Sequence, residues 1–177
     1  MNTLLKVLPT TLPTTSVTEA MPSNPTAYAQ IEVALRFLAE HSSEQPSLAE
    51  VAQATGLSEF HLHRQFLAWA GLTPKEFLQY LTAERAKQLL AESRSVLDTS
   101  LSVGLSGPSR LHDLMLDIDS LTPGEYKQQA RGIDIDWALA DTPFGTAVFA
   151  ATRRGLCLIS FVDNVADAEA ELATRWP

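Results

Sequence analysis

A helix laid over residues 58–70, SEFHLHRQFLAWA, sorts its side chains into two flanks at about 100° per residue. Leu62, Phe66 and Trp69 fall on one flank, and Phe60, His63, Arg64 and Leu67 on the other, at i, i+3, i+4 and i+7. The first stripe suits a core. The second joins an aromatic ring, an imidazole, a guanidinium and an aliphatic chain, which suits a surface that reads base pairs. A guanidinium can clasp the two major-groove acceptors of guanine, and an apolar group can meet a thymine methyl. His63 can donate to a base or a phosphate, and Glu59 at the start of the same helix completes this set of candidate contacts.

The flanking residues position that helix. Pro46-Ser47 opens a short preceding helix, with Ser47 as N-cap and Glu50 three residues on completing a capping box. Gly56 ends it, a short turn follows, and Ser58 caps the next helix, giving a helix-turn-helix over Leu48–Thr55 and Glu59–Ala70. Upstream, Ile31, Leu35 and Leu38 recur at helical spacing between Tyr28 and His41. Downstream, Thr73-Pro74-Lys75-Glu76 starts a helix running to about Glu92, with Phe77, Leu81, Leu89 and Leu90 as its core residues. At about 20 residues that helix spans roughly 30 Å, near one turn of duplex DNA at about 34 Å.

Beyond it the same phrase returns. TGLSEFHLHRQFLAWAGLTP at 55–74 is echoed by VGLSGPSRLHDLMLDIDSLTP at 103–123, both running from Gly-Leu-Ser to Leu-Thr-Pro. Val96–Val103 is the expected positioning helix of a second unit and Ser109–Asp119 its reading helix, with Ser109, Arg110 and His112 as candidate contacts. Asp113 stands among them, with further acids at Asp117 and Asp119. A carboxylate facing phosphates repels them, though it can accept from a cytosine amino group, so the second unit is expected to bind weakly or to serve mainly as structure. A duplicated helical hairpin used only for packing is the plain alternative.

Composition narrows the classes. The net charge is −8, and residues 44–131 hold 8 Lys/Arg against 11 Asp/Glu, so binding to nucleic acid has to come from local placement. No run of about 18 apolar residues spans a bilayer, and Lys6 and Pro9 cut short any signal-peptide core. With one cysteine there is no intrachain disulfide and no multi-cysteine zinc site. A cytoplasmic protein with no membrane, metal or cofactor is expected. The Thr/Pro-rich residues 1–27 read as a disordered arm.

GLSEFHLHRQFLAWAGLTPKEFLQY resembles the DNA-binding domain of AraC-type transcription regulators, in which one long helix joins two helix-turn-helix units. The likeness covers residues 28–131 and rests on Leu48-Ala49-Glu50-Val51-Ala52, Gly-Leu-Ser, the Leu62/Arg64/Phe66 spacing, Thr-Pro, and Glu84-Arg85-Ala86 with Leu89-Leu90. It implies base contacts through Phe60, His63 and Arg64, double-stranded DNA as partner and RNA polymerase as a candidate second one. The second unit departs from the pattern, because Asp113 stands where the family usually has an arginine.

Residues 132–177 alternate like three short strands, Ile135–Leu139, Thr146–Thr152 and Leu156–Val162, followed by a helix over Ala166–Arg175 capped by Asp163 or Asn164. This is similar to the opening of the methylated-DNA–protein cysteine methyltransferase domain, a ribonuclease-H-like meander followed by a helix. AraC-type units precede that domain in Ada-like bifunctional regulators. The fold expected is thus mainly α, two tandem units on one long helix, with a partial α/β subdomain after them.

The family's methyl acceptor is a cysteine in Pro-Cys-His-Arg, and that motif does not occur here. Cys157, between Leu156 and Leu158 in an alternating strand, reads as a core residue. The expectation is therefore a regulator with an incomplete, inactive repair domain and no catalytic residue. The alternatives are a working suicide methyltransferase that uses Cys157, or a truncated reading of a longer gene. His61 and His63 diverge by about 200° on a helix and do not share a metal. Asp134, Asp136 and Asp141 are not expected to hold one either, and Arg153-Arg154 reads as a solvated turn, with a DNA-backbone contact as the less favoured role.

Overall fold

The computed structural model describes residues 25–176. Helix α1 (Pro25–Glu40) is followed by a 3₁₀ turn (Ser42–Glu44), α2 (Leu48–Thr55), α3 (Glu59–Ala70) and α4 (Pro74–Ala91). Then come α5 (Val96–Ser102), α6 (Pro108–Asp119), α7 (Pro123–Lys127), strands β1 (Asp136–Thr142), β2 (Gly145–Thr152) and β3 (Gly155–Phe161), and α8 (Val165–Arg175). Helix α1 starts at Pro25, so the last residues assigned to the arm are helical, and the rest of the arm lies outside the described residues.

Local chemistry places the helix ends. Ser47 and Glu50 form the expected capping box on α2, the Ser47 N–H donating to Glu50 Oε2 at 2.7 Å. Thr73 with Glu76 does the same for α4 at 2.7 Å, and Thr122 with Glu125 for α7 at 2.8 Å. Helix α7 is an addition to the sequence reading, although Thr-Pro-Gly-Glu repeats the grammar of Thr-Pro-Lys-Glu. The linker α4 has 18 residues and ends before Glu92, so it spans about 27 Å rather than 30.

The repeated phrase becomes two turns with the same backbone hydrogen bonds. Gly56 (φ +69) and Gly104 (φ +80) both adopt the left-handed conformation that ends a helix at little cost for glycine. The following leucines close the turn, Leu57 N–H on Ala52 O at 3.1 Å and Leu105 N–H on Ser100 O at 2.9 Å. Thereafter the second unit runs one residue longer. Ser58 caps α3, whereas Ser106 is followed by Gly107, which occupies the N-cap of α6 in extended backbone with Pro108 in the first turn. From there Leu62 matches Leu111, Phe66 matches Met115 and Leu72 matches Leu121, and Arg64 falls opposite Asp113.

Two helical cores result. Ile31, Ala34, Leu38, Val51, Ala52, Leu62, Phe66 and Leu78 make the first, and Ala86, Leu89, Leu90, Val103, Leu111 and Met115 the second. Helix α4 contributes to both, through its first half and its second. A third core, with Val148, Ala150, Cys157, Leu158 and Ala168, lies under the meander and takes in Leu121 and Ala130 from the end of the second unit. The sheet is antiparallel in the order β1-β2-β3, with a bulge at Ala150/Ala151. Asn164 caps α8, its side chain accepting from the Asp167 N–H at 3.0 Å.

The meander is docked rather than appended. Arg154 stays partly in solvent but reaches back onto the second unit. Its Nε donates to Ser120 O at 3.1 Å and its guanidinium pairs with Glu125. Thr152 Oγ1 also donates to Ser120 O, at 3.3 Å, and a Cβ on Gly155 would meet Ser120 Oγ at 2.7 Å. Burial pushes the Glu125 carboxyl up, but the Thr122 N–H and Arg154 outweigh it and hold the group below its ordinary value. Arg153 is exposed, with its terminal nitrogen 3.7 Å from Asp134.

Asp119 corrects a second expectation. It does not face phosphates but turns inward to Lys87 Nζ at 2.9 Å, with side-chain exposures of 12% and 11%. Lys87 also pairs with Glu84. Desolvation pulls its ammonium down, yet the two carboxylates outweigh it and raise the net value. The pair joins α4 to the end of α6. Removing one member strands a charge, at about 3 kcal/mol. Lys87→Met should therefore lower the unfolding free energy in urea by about 3 kcal/mol, and adding Asp119→Leu should restore most of it. A Lys87→Met protein as stable as the parent would contradict this role.

Candidate nucleic-acid interface

Helix α3 is held at both ends and along one side. Ser58 Oγ accepts from the His61 N–H at 3.4 Å, and Gly71 (φ +74) closes the far end with its N–H on Leu67 O at 3.0 Å. Leu62 and Phe66 are fully buried against α1, α2 and α4, and Phe66 meets the Phe77 ring with centroids 5.9 Å apart. Trp69 is half-buried with an edge-on contact to Tyr28 at 5.6 Å. These contacts fix the rotation of the helix about its axis.

The opposite flank is in solvent. Phe60 is 71% exposed, unusual for a benzyl side chain, and Leu67 is 44% exposed. Glu59, His61, His63 and Arg64 are exposed as well. The Arg64 guanidinium carbon stands 5.8 Å from the Phe60 ring centroid, a cation–π contact of about 0.5–1 kcal/mol at an exposed site. Among the described residues Arg64 forms no ion pair, so its donors face outward unspent. Ala68, exposed four residues after Arg64, extends this flank. Its signal was the i+4 spacing, which goes unnoticed because alanine carries no functional group.

The matching flank of α6 has different chemistry. Ser109, Arg110 and His112 are exposed, as expected, with Asp113 and Asp117 beside them. His112 Nδ1 lies 3.5 Å from Asp113 Oδ1. Leu111 and Met115 are fully buried, so α6 is seated as α3 is while showing one arginine and two carboxylates. The first flank can clasp base edges and phosphates. The second can donate through Arg110 and, at Asp113, can only accept.

Elsewhere the titratable groups have structural roles. Cys157 is buried in the sheet, its thiol donating to Ala150 O at 3.4 Å, and burial together with the nearby Asp119 carboxylate pushes it up from its ordinary value. Asp141 accepts from Thr146 Oγ1 at 3.0 Å. Among the described residues no helix is long and apolar enough to cross a membrane.

Residues 51–129 match the family model described as a helix-turn-helix domain. Over 131 residues, 74% of its length, the chain is 30% identical to the bifunctional transcriptional activator/DNA repair enzyme Ada of Escherichia coli (strain K12) and spans 37% of that protein. It is 29% identical over 82 residues to an HTH-type transcriptional regulator, YbfI, of Bacillus subtilis (strain 168), covering 46% of this chain and 30% of that one. The fold is that of AraC-type DNA-binding domains. A transcriptional regulator from Chromobacterium violaceum aligns with TM-score 0.55 and 24% identity, over 62% of this chain and 98% of that one. The DNA-binding domain of AdpA, solved with a target DNA, aligns with TM-score 0.54 and 23% identity, over 58% and 96%.

The two flanks of α3 differ in what they contribute to stability. Leu62→Ala should cost about 2–5 kcal/mol of unfolding free energy, and Phe60→Ala should stay within about 0.5 kcal/mol of the parent. Chemical denaturation of both variants checks this. A costly Phe60→Ala would mean that the flank has a packing role.

Proposed function

We propose that this chain is a sequence-specific DNA-binding regulator of transcription that inserts α3 into the major groove. One observation carries the reading: the flank of α3 bearing Phe60, His63, Arg64 and Leu67 stays in solvent while the opposite flank is sealed in the core. A fold shared with a DNA-binding domain solved on its target DNA adds support. In this reading Arg64 donates to guanine, Phe60 and Leu67 supply apolar contact to thymine methyls, and His63 and Glu59 make the remaining polar contacts. Helix α2 crosses the phosphate backbone.

The second unit adds a weaker hold. Ser109, Arg110 and His112 reach phosphates or base edges, while Asp113 repels phosphate and is tolerated only opposite a cytosine amino group. The acidic balance of the whole chain keeps non-specific affinity low, so binding depends on these few side chains. Arg64→Ala is expected to cost about 1–3 kcal/mol and to relax preference at one base pair. A mobility-shift series in which Arg64→Ala discriminates among sequences as the parent does would overturn the assignment.

The setting proposed is an Ada-like regulator in the cytoplasm, acting on RNA polymerase, with residues 132–177 a partial methyltransferase-like subdomain that has no catalytic role here. The 30% identity to Ada over 131 residues supports the Ada-like setting. The buried Cys157, with its thiol held protonated, is unsuited to accept a methyl group. After incubation with methylated duplex DNA, the intact mass of the chain should be unchanged. A gain of one methyl group on Cys157 would establish the enzymatic alternative instead.

A further inference from the structure

Two helix-turn-helix units on one helix can read DNA together only if their mutual angle is fixed. The two cores have no residue in common, so packing on α4 sets each unit against the helix but not directly against the other unit. A rotation of about 10° across the roughly 27 Å of α4 would swing the far unit by about 5 Å, more than one base-pair step of about 3.4 Å. A contact made directly between the units holds the angle more tightly than the shared helix alone.

Gln45 is placed to do so. It follows the 3₁₀ turn in left-handed backbone (φ 53, ψ 57), an uncommon conformation for a residue with a side chain. Its Nε2 lies 2.7 Å from Ser42 O, 3.0 Å from Thr82 Oγ1 and 3.1 Å from Val103 O. Thr82 is buried at the middle of α4 and spends its own hydroxyl proton on Leu78 O at 2.8 Å, so it accepts from Gln45. Val103 O belongs to the turn of the second unit. One amide thus spans the first unit, the linker and the second unit. Among the described residues it makes the one hydrogen bond that joins 25–72 directly to 92–131. The backbones also touch there, because a Cβ on Gly104 (φ +80) would lie 2.1 Å from Ser43 O and 2.9 Å from Gln45 Cγ.

We infer that Gln45 is a positioning residue that locks the angle between the two helix-turn-helix units, and so restricts the chain to duplexes whose two contacted segments lie at one spacing. This rests on the DNA-reading function proposed above, but the lock itself is a property of the protein alone. The left-handed backbone brings the side chain across the joint, and the absence of a Cβ at Gly104 lets the second turn approach closely enough to accept from it.

Two measurements test the lock, the first of them without DNA. Spin labels on cysteines placed at the exposed Gln53 and Leu97, with Cys157→Ala, should give one narrow distance in the parent. Gln45→Glu keeps the shape but sets a carboxylate against two carbonyls. Gln45→Gly keeps the backbone conformation and removes the side chain. Both should broaden the distribution, and Gly104→Ala should shift it. An unchanged distribution in both Gln45 variants overturns the inference. The second measurement uses duplexes in which the segment under α6 is moved by one to five base pairs from a fixed α3 site. The parent should prefer one spacing by about tenfold, of the order of one mismatched contact. Gln45→Glu should lose that preference while keeping the parent's affinity for the α3 site alone. A parent without a spacing preference, or a variant that retains it, refutes the spacing claim. A parent that binds no duplex overturns the proposed function, and the distance measurement still decides on the lock.

Discussion

Leu62 and Phe66 set the rotation of α3 about its own axis, and the interface follows from that one constraint. With about 100° between successive residues, burying positions 62 and 66 leaves positions 60, 63, 64 and 67 pointing away from the protein. The core that stabilises the unit therefore also aims its chemistry. A shift of the buried stripe by one residue would turn the helix by about 100° and carry Arg64 from the face opposite the core to its side. Stability and recognition are two sides of the same helix, and neither can be moved alone.

The second unit shows how far such a frame tolerates change. Leu111 and Met115 repeat the buried pair, Gly104 repeats the turn, and Thr122 with Glu125 repeats the capping box that follows. Two outward positions have changed chemistry, with Ser109 for Phe60 and Asp113 for Arg64. Ala70 is matched by Asp119, which points inward and pairs with Lys87 on the linker. The end of α6 has become an anchoring point, with Lys87 on one side and the docked β2–β3 turn on the other. A unit with two such attachments is well suited to hold a fixed position, which is the condition the Gln45 lock requires.

Much of this could be read from residue order because it is local. The boundaries of α2 and α3 follow from Ser47, Gly56, Ser58 and Gly71, each acting within four residues of the helix end it controls. The three strands follow from alternation and the intervening turns. What escaped notice is long-range. Asp119 looks like a surface carboxylate until Lys87, 32 residues earlier, is brought beside it. Arg154 looks solvated until Ser120 and Glu125 close on it. Gln45 reaches partners 37 and 58 residues away, and no periodicity or capping rule marks such a residue. Helix α7 is the exception, since Thr122-Pro123-Gly124-Glu125 carried a local signal and the five-residue helix was too short to show a period.

The central claim is that the exposed flank of α3 lies against base edges in the major groove. Dimethyl-sulfate footprinting on a bound duplex tests it most directly, because the reagent alkylates guanine N7, the atom paired with O6 in the acceptor set that an arginine clasps. The account predicts one or two guanines protected in the complex with the parent and reactive again with Arg64→Ala at saturating protein. Guanines as reactive in the bound duplex as in the free one would contradict it.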